Sequence, residues 1–367
     1  MSGDLFSDGS GVVLWSRVRL CRNLANKPFV CPDKVQKRAS SSSDDLRAIG
    51  VRQGVYEEIS ESVKAVRPKK TLHLKKITDV PNWKIIDFFE RGVFSDYLKQ
   101  HRRDKYRGII TGPKGSVAAL VNEQHHLVLQ SVCSGFQLER AWNEADKLDD
   151  LFSSELEFAW SRKFGYLLPN SECCGTGLDV MVNVHIPGLI LLDEISQAVS
   201  AFGAMGLRMN TEISDDVLVG GFGQLLRITN NMTVSDSEDT VLSKIEQAVS
   251  DLVVQEEQAR KRILKDSSLK RLLYNKIACA LAVLQNSLLV SRSDAFELLS
   301  WLKTGAAMGL VRGITPAGID RLHQDVWASN FLSYFDGSFD EAVEHVSINR
   351  AVVLTDRLRN VKTTFDF

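Results

Sequence analysis

Val12-Val13-Leu14-Trp15-Ser16-Arg17-Val18-Arg19-Leu20 alternates with a period of two. Val12, Leu14, Val18 and Leu20 fall on one face, and Trp15, Arg17 and Arg19 on the other. Successive side chains of a strand point to opposite faces, so this is a strand with one side in a core and two guanidinium groups on the other. Downstream, residues 117–121 (VAALV) and 126–132 (HLVLQSV) read as two strands joined by Asn122-Glu123-Gln124-His125, which is a hairpin pattern. Residues 180–186 and 225–229 read as further strands, and an amphipathic helix is expected over about 137–160. Strands and helices do not alternate in a strict βαβ rhythm. The order favours an α+β fold, an antiparallel sheet with helices packed on it.

After Thr233 the pattern becomes helical. Ser235 and Glu238 make a capping-box spacing, and Val241, Leu242, Ile245, Val249, Leu252 and Val253 follow at helical intervals. Ser293 with Asp294 signals another helix start, and Thr315-Pro316 offers an N-cap followed by proline at the first helical position. A boundary is placed near residue 260, giving a sheet domain over 1–260 and an all-helical domain over 261–367. Ser40 to Ser43 followed by Asp44-Asp45 reads as an exposed loop. The dense basic residues from Lys64 to Arg107 are mixed with acidic and apolar ones and read as a solvated face.

The chain has 367 residues, 44% hydrophobic and 25% charged, enough for two or three packed domains and too apolar for a disordered protein. Its 45 Lys and Arg balance 46 Asp and Glu, so bulk attraction to nucleic acid or to an anionic membrane is not expected. No apolar run approaches the roughly 20 residues that cross a bilayer. The N-terminal Met1-Ser2-Gly3-Asp4 lacks a basic and an apolar signal region, so a cytoplasmic location is expected. The six cysteines are dispersed without a CxxC pair, which fits reduced, buried thiols better than a disulfide framework or a zinc ribbon.

Four segments in register resemble the ATP:guanido phosphotransferase superfamily, specifically its bacterial protein-arginine kinase branch. Ser16-Arg17-Val18-Arg19-Leu20-Cys21-Arg22-Asn23-Leu24 is similar to S-R-[IV]-R-L-A-R-N-L. Val121-Asn122-Glu123-Gln124-His125-His126-Leu127 with Gln130 is similar to V-N-E-E-D-H-[LI]-R-I-Q. Phe164-Gly165-Tyr166-Leu167, then Gly175-Thr176-Gly177-Leu178 and His185-Ile186-Pro187, form the third segment. Gly223-Gln224-Leu225-Leu226-Arg227-Ile228-Thr229-Asn230 is similar to G-N-x-F-Q-I-S-N, and a related helical tail runs to Arg350-Ala351. The resemblance implies a central antiparallel sheet flanked by helices, a C-terminal helical domain and a homodimer.

Moving a phosphoryl group from ATP to a guanidinium needs cations on the triphosphate and Mg²⁺, and a carboxylate to orient the guanidinium and take its proton. By resemblance Ser16, Arg17 and Arg19 are the residual phosphate-binding positions. The catalytic carboxylate position holds Gln124, and the family's Cys-Pro-Thr-Asn begins at Asn170. Val128 and Asp179 stand where phosphate arginines are implied, Gly92 where a nucleotide-contacting His is implied, and the loop carrying a further arginine and the second glutamate falls at Glu212 to Val217. Framework positions are kept and ligand-contacting ones replaced. The expectation is a protein-arginine-kinase-like pseudokinase that binds Mg-ATP weakly or not at all, has no metal site, and acts through protein contacts. By resemblance its partners are a zinc-containing kinase activator and Clp-type chaperone or protease components. The alternative is an active protein-arginine kinase with relocated catalytic residues. A third possibility is a nucleotide-sensing module built on Arg17 and Arg19.

Overall fold

The computed structural model describes residues 11–29, 42–66, 71–95, 98, 103–113, 117–210, 225–231, 236–336 and 338–365. Its centre is β1 (Val13–Arg22), whose ten residues are all buried because both faces and both edges of the strand are covered. It pairs antiparallel with β5 (Leu127–Ser134) on one edge and with β8 (Leu178–His185) on the other. β2 (His73–Lys76), β3 (Gly108–Thr111) and β4 (Val117–Val121) extend the sheet beyond β5. β9 (Leu207–Asn210) and β10 (Leu225–Asn230) extend it beyond β8, giving the order β2-β3-β4-β5-β1-β8-β10-β9. The pairings are antiparallel throughout, as the sequence pattern predicts. The small pairs β6 (Trp160–Ser161) with β7 (Gly165–Tyr166), and β11 (Val311–Arg312) with β12 (Lys362–Thr363), lie outside the main sheet.

One sheet face carries Val18, Leu20, Val180 and Val182 into the main core. That core is closed by α1 (Ser42–Val66), α3 (Leu138–Ser153) and α6 (Glu238–Lys265), through Ile59, Phe152 and Ile245 among others. A fully buried leucine such as Leu20 contributes about 2 kcal/mol by removal from water. On the opposite face Cys21 and Val128 are covered by Phe88 and Phe89 of α2 (Asn82–Glu90). The alternation fails at one place. The β1–β8 register shifts between Val13 and Trp15, and this irregularity puts Leu14 beside Trp15 and Met181 instead of with Val18.

The exposed loop expected at 40–45 is corrected in part: α1 begins at Ser42, and its run to Val66 hides a buried stripe of Val55, Ile59, Val63 and Val66 behind polar neighbours. The helix expected to 160 stops at Ser153, because the chain turns into the β6–β7 pair. Two helix starts also move. The cap of α6 is Ser237, whose side chain accepts from Thr240 N, and that of α8 (Arg292–Ala307) is Ser291, accepting from Asp294 N. In each case a neighbouring serine holds the extended backbone that the cap requires. Thr315 and Pro316 start α9 (Pro316–Asp325) as the sequence indicates.

α6 carries residues of two cores: Ala259 packs in the sheet core, and Ile263 packs in a second core with α7 (Ser267–Asn286), α8, α9 and α11 (Phe339–Leu358). Between them Glu256 accepts from Gly188 N (2.9 Å) and Leu189 N (3.0 Å), at the N-terminus of α4 (Pro187–Leu191), and pairs with Arg260 at 2.6 Å. No helix of the described residues is long and apolar enough to cross a membrane.

Candidate active site

Arg17 and Arg19 stand two residues apart on β1, so both guanidinium groups leave the sheet on the same side. Both are nearly inaccessible to solvent. Arg17 Nη1 donates to the carbonyl of Gly92, and Arg19 Nη2 donates to that of Val93 at 2.7 Å. Arg19 Nε also donates to Gln130 Oε1 (3.1 Å), its partner across the β1–β5 ladder. Gly92 can present its carbonyl this way because its φ is +66°; a Cβ there would meet the Trp15 ring at 3.2 Å.

Two carboxylates lie close without full hydrogen bonds: Asp179 Oδ2 is 3.7 Å from Arg17 Nη2, and Glu123 Oε1 is 3.8 Å from Arg19 Nη1. They do not neutralise the cluster. The Arg17 guanidinium is pushed down to about 9, first by burial and then by Arg19, with Arg227 acting in the same sense against Asp179. Arg227 belongs to β10, opposite Asn183, which in turn faces Trp15 across the β1–β8 ladder. Three arginines from two strands therefore share one region of the sheet face.

This face forms one wall of a cavity of about 420 Å³. The opposite wall comes from the helical region: Arg292, Phe296, Ser300 and Lys303 of α8, and Asp320 and His323 of α9. Among the described residues, five Arg and Lys side chains and two carboxylates, Glu90 and Asp320, line the cavity, so cations predominate in its lining. Lys303 pairs with Asp320 at 2.8 Å. Glu90, at the end of α2, joins the walls: it pairs with Arg292 and accepts from Ala328 N (2.8 Å), Ser329 N (3.1 Å) and Ser329 Oγ (2.6 Å). His185 at the end of β8 contacts Ser300 Oγ through Nε2 at 2.6 Å. Burial holds His185 neutral, far below its ordinary value, and holds His323 down to about 3. Trp15, Phe89, Phe94 and Trp327 add aromatic surface to the lining.

Residues 51–259 match the family described as ATP:guanido phosphotransferase, C-terminal catalytic domain. The chain belongs to that family, on its protein-arginine kinase branch. It is 29% identical over 314 residues to the protein-arginine kinase of Halothermothrix orenii, covering 85% of this chain and 83% of that one. With the protein-arginine kinase of Clostridium tetani the identity is 26% over 357 residues, 96% of this chain and 97% of the other. Among solved structures, lombricine kinase is similar with a TM-score of 0.52 at 17% identity, over 70% of this chain and 68% of that one. The substrate-free duplicated taurocyamine kinase from Schistosoma mansoni also gives 0.52, at 18% identity over 70% of this chain, which spans about 33% of that longer protein. The structural likenesses establish the phosphotransferase fold.

The structure brings some of the positions marked by the resemblance together and separates others. Arg17, Arg19, Gly92 and Gln124 line the cavity, Gln124 from the exposed tip of the β4–β5 turn. Asp179 faces Arg19 across the β1–β8 ladder. Val128 is buried beneath the α2 phenylalanines. The Ser16 hydroxyl donates to the Gly135 carbonyl (2.8 Å), and Ser16 is not among the described residues that line the cavity. Asn170 lies away from the cavity, where its carbonyl accepts from Cys173 N (3.0 Å). Glu212 and Val217 fall outside the described residues. Two motif residues are structural. Arg22 grips Asp149 through two bonds of 2.9 and 2.7 Å and stacks on Tyr166, and Arg350 donates to the carbonyls of Val326 and Val290. The cavity residues that the sequence reading did not single out are Arg227 and Asn183 and the helical wall; the alternation of Leu225, Arg227 and Thr229 was the available signal for the first.

Proposed function

We propose that this chain is an ATP-dependent protein-arginine kinase whose sheet-face cavity holds the phosphate chain of the nucleotide. The observation that carries the reading is the near-full-length match to proteins named protein-arginine kinase, on a fold whose sheet gathers Arg17, Arg19 and Arg227 at one cavity. In the transfer the γ-phosphorus to bridging-oxygen bond breaks, a nitrogen to phosphorus bond forms, ADP leaves and the guanidinium gives up one proton to solvent. Buried guanidinium groups already fixed on carbonyls stabilise the charge of the transferred group without reorganising. Mg²⁺ supplies further charge neutralisation when bound.

A second reading is favoured by Gln124. An amide cannot take the proton that a guanidinium must lose, and Asp179 stands among the arginines with a charge that repels phosphate. On this reading the chain is a pseudokinase that regulates or scaffolds through protein partners, such as a zinc-containing kinase activator or Clp-type components in the cytoplasm.

Incubation of the chain with Mg-ATP and a basic protein substrate, followed by mass spectrometry under conditions that preserve acid-labile phosphate, separates the two. Phosphoarginine that disappears in Arg19→Ala supports transfer. Phosphoarginine no higher than in a reaction lacking ATP supports the pseudokinase.

A further inference from the structure

We propose that Arg227 is a relocated phosphate-binding residue, which supplies from β10 the positive charge that the chain lacks at Val128 and Asp179. The inference deepens the reading of the cavity as a phosphate site, and it holds for either fate of the bound phosphate, transfer or retention.

The resemblance puts a glutamine at position 227, where this chain has arginine, in a segment otherwise kept as Ile228, Thr229 and Asn230. The change is therefore local. It also sits at a telling place in the sheet. Asp179 faces Arg19, and four residues further along β8 Asn183 faces both Trp15 and Arg227. The same strand that introduces an anion at one end of the arginine face is flanked by a new cation at the other. Val128, the second missing cation, is sealed under Phe88 and Phe89, so no charge can return there.

Arg17, Arg19 and Arg227 line one cavity, and Arg17 is disfavoured in its charged form by both of the others. Like charges held together in a partly desolvated site raise its attraction for an anion. Asp179 at 3.7 Å is too distant for a direct hydrogen bond to Arg17, and its side chain keeps a quarter of its exposure. A phosphate chain meets the demand better, since a guanidinium fork matches two phosphate oxygens at once. Asn183 lies between Trp15 and Arg227 in the sheet and lines the same cavity.

The test uses inorganic tripolyphosphate, which offers the phosphate chain without a base or sugar. Calorimetric titration of the full chain at low salt is expected to show binding, weakened about tenfold or more in Arg227→Gln and largely kept in Arg227→Lys. Equal affinity in the wild type and Arg227→Gln overturns the proposal, as does a wild type that gives no binding. Because a variant can fail by misfolding, a second measurement uses the wild type alone. Phenylglyoxal labelling followed by peptide mass spectrometry is expected to show Arg227 protected by tripolyphosphate; unchanged labelling also overturns the proposal. The outcome is separable from the kinase question. Tripolyphosphate binding lost in Arg227→Gln with no phosphoarginine formed would support this assignment and refute transfer. Phosphoarginine formed equally by both proteins would support transfer and refute this assignment.

Discussion

Asp179 faces Arg19 across the β1–β8 ladder while its carboxylate lies 3.7 Å from Arg17, so a single acidic side chain sits between the two arginines of the central strand. Its side chain is a quarter exposed and makes no short bond to either, which limits the stability it can supply to about 1 kcal/mol. Its larger effect is on the field of the cavity. Asp179→Asn is expected to bind tripolyphosphate about three- to tenfold more tightly, with a urea midpoint close to that of the wild type. Calorimetry showing equal or weaker binding would contradict the repulsive role given to this residue.

Arg22 carries the opposite balance. It is buried, bidentate to Asp149 and stacked on Tyr166 with its guanidinium carbon 3.5 Å from the ring centroid. Removing one partner of such a pair leaves the other charge without compensation, at a cost of about 3–5 kcal/mol. Arg22→Ala should lower the urea midpoint accordingly, and Arg22→Lys should recover only part of it because an ammonium cannot form the two-point grip. Full recovery by lysine would show that charge alone, and not geometry, holds α3 to β1.

Glu90 ties α2 to α10 (Ala328–Leu332) and, through Arg292, to α8. Glu90→Ala removes the acceptor of three donors on Ala328 and Ser329 as well as the partner of Arg292. A destabilisation of about 3 kcal/mol or more is expected. Hydrogen exchange should locate it: the amides of Ala328 and Ser329 should lose protection before those of β1. Uniform loss across the sheet would place the role of Glu90 elsewhere.

The cavity histidines, His185 buried and His323 partly buried, set a pH dependence. His323 is held down to about 3 by burial first, with Lys303 and Arg292 adding to it, while an unfolded chain takes up that proton near 6.5. Between these values the unfolded state binds more protons than the folded one, so stability is fully present above about 6.5 and falls as the pH drops. From pH 6.5 to 4.5 His323 should account for a loss of about 2 kcal/mol. Chemical denaturation of His323→Gln across that range should show a correspondingly shallower decline. A slope identical to that of the wild type would mean that the imidazole titrates normally in the folded protein.

The period-two alternation of 12–20, 117–121 and 225–229 made the strands legible, and with them the shared face of Arg17 and Arg19, because alternation is a property of neighbouring residues. Helical spacing and Thr315-Pro316 marked the C-terminal helices in the same way. Local signals did not reveal the irregularity that moves Leu14, the bonding of Ser16 to Gly135, or the choice of Ser237 and Ser291 as caps over other nearby serines. Each of these depends on what lies across from the residue, or on the backbone angle that packing imposes.

Residue order alone establishes a strand with two arginines on one face. Which groups meet that face is settled by pairing and packing. Arg227 reaches the site of Arg17 because β10 pairs with β8 and β8 with β1. Glu90 meets Arg292 across 202 residues of chain because α2 and α8 both line one cavity. Strand pairing and helix packing are settled by the burial of apolar surface over the whole chain, and no short window of sequence contains that sum.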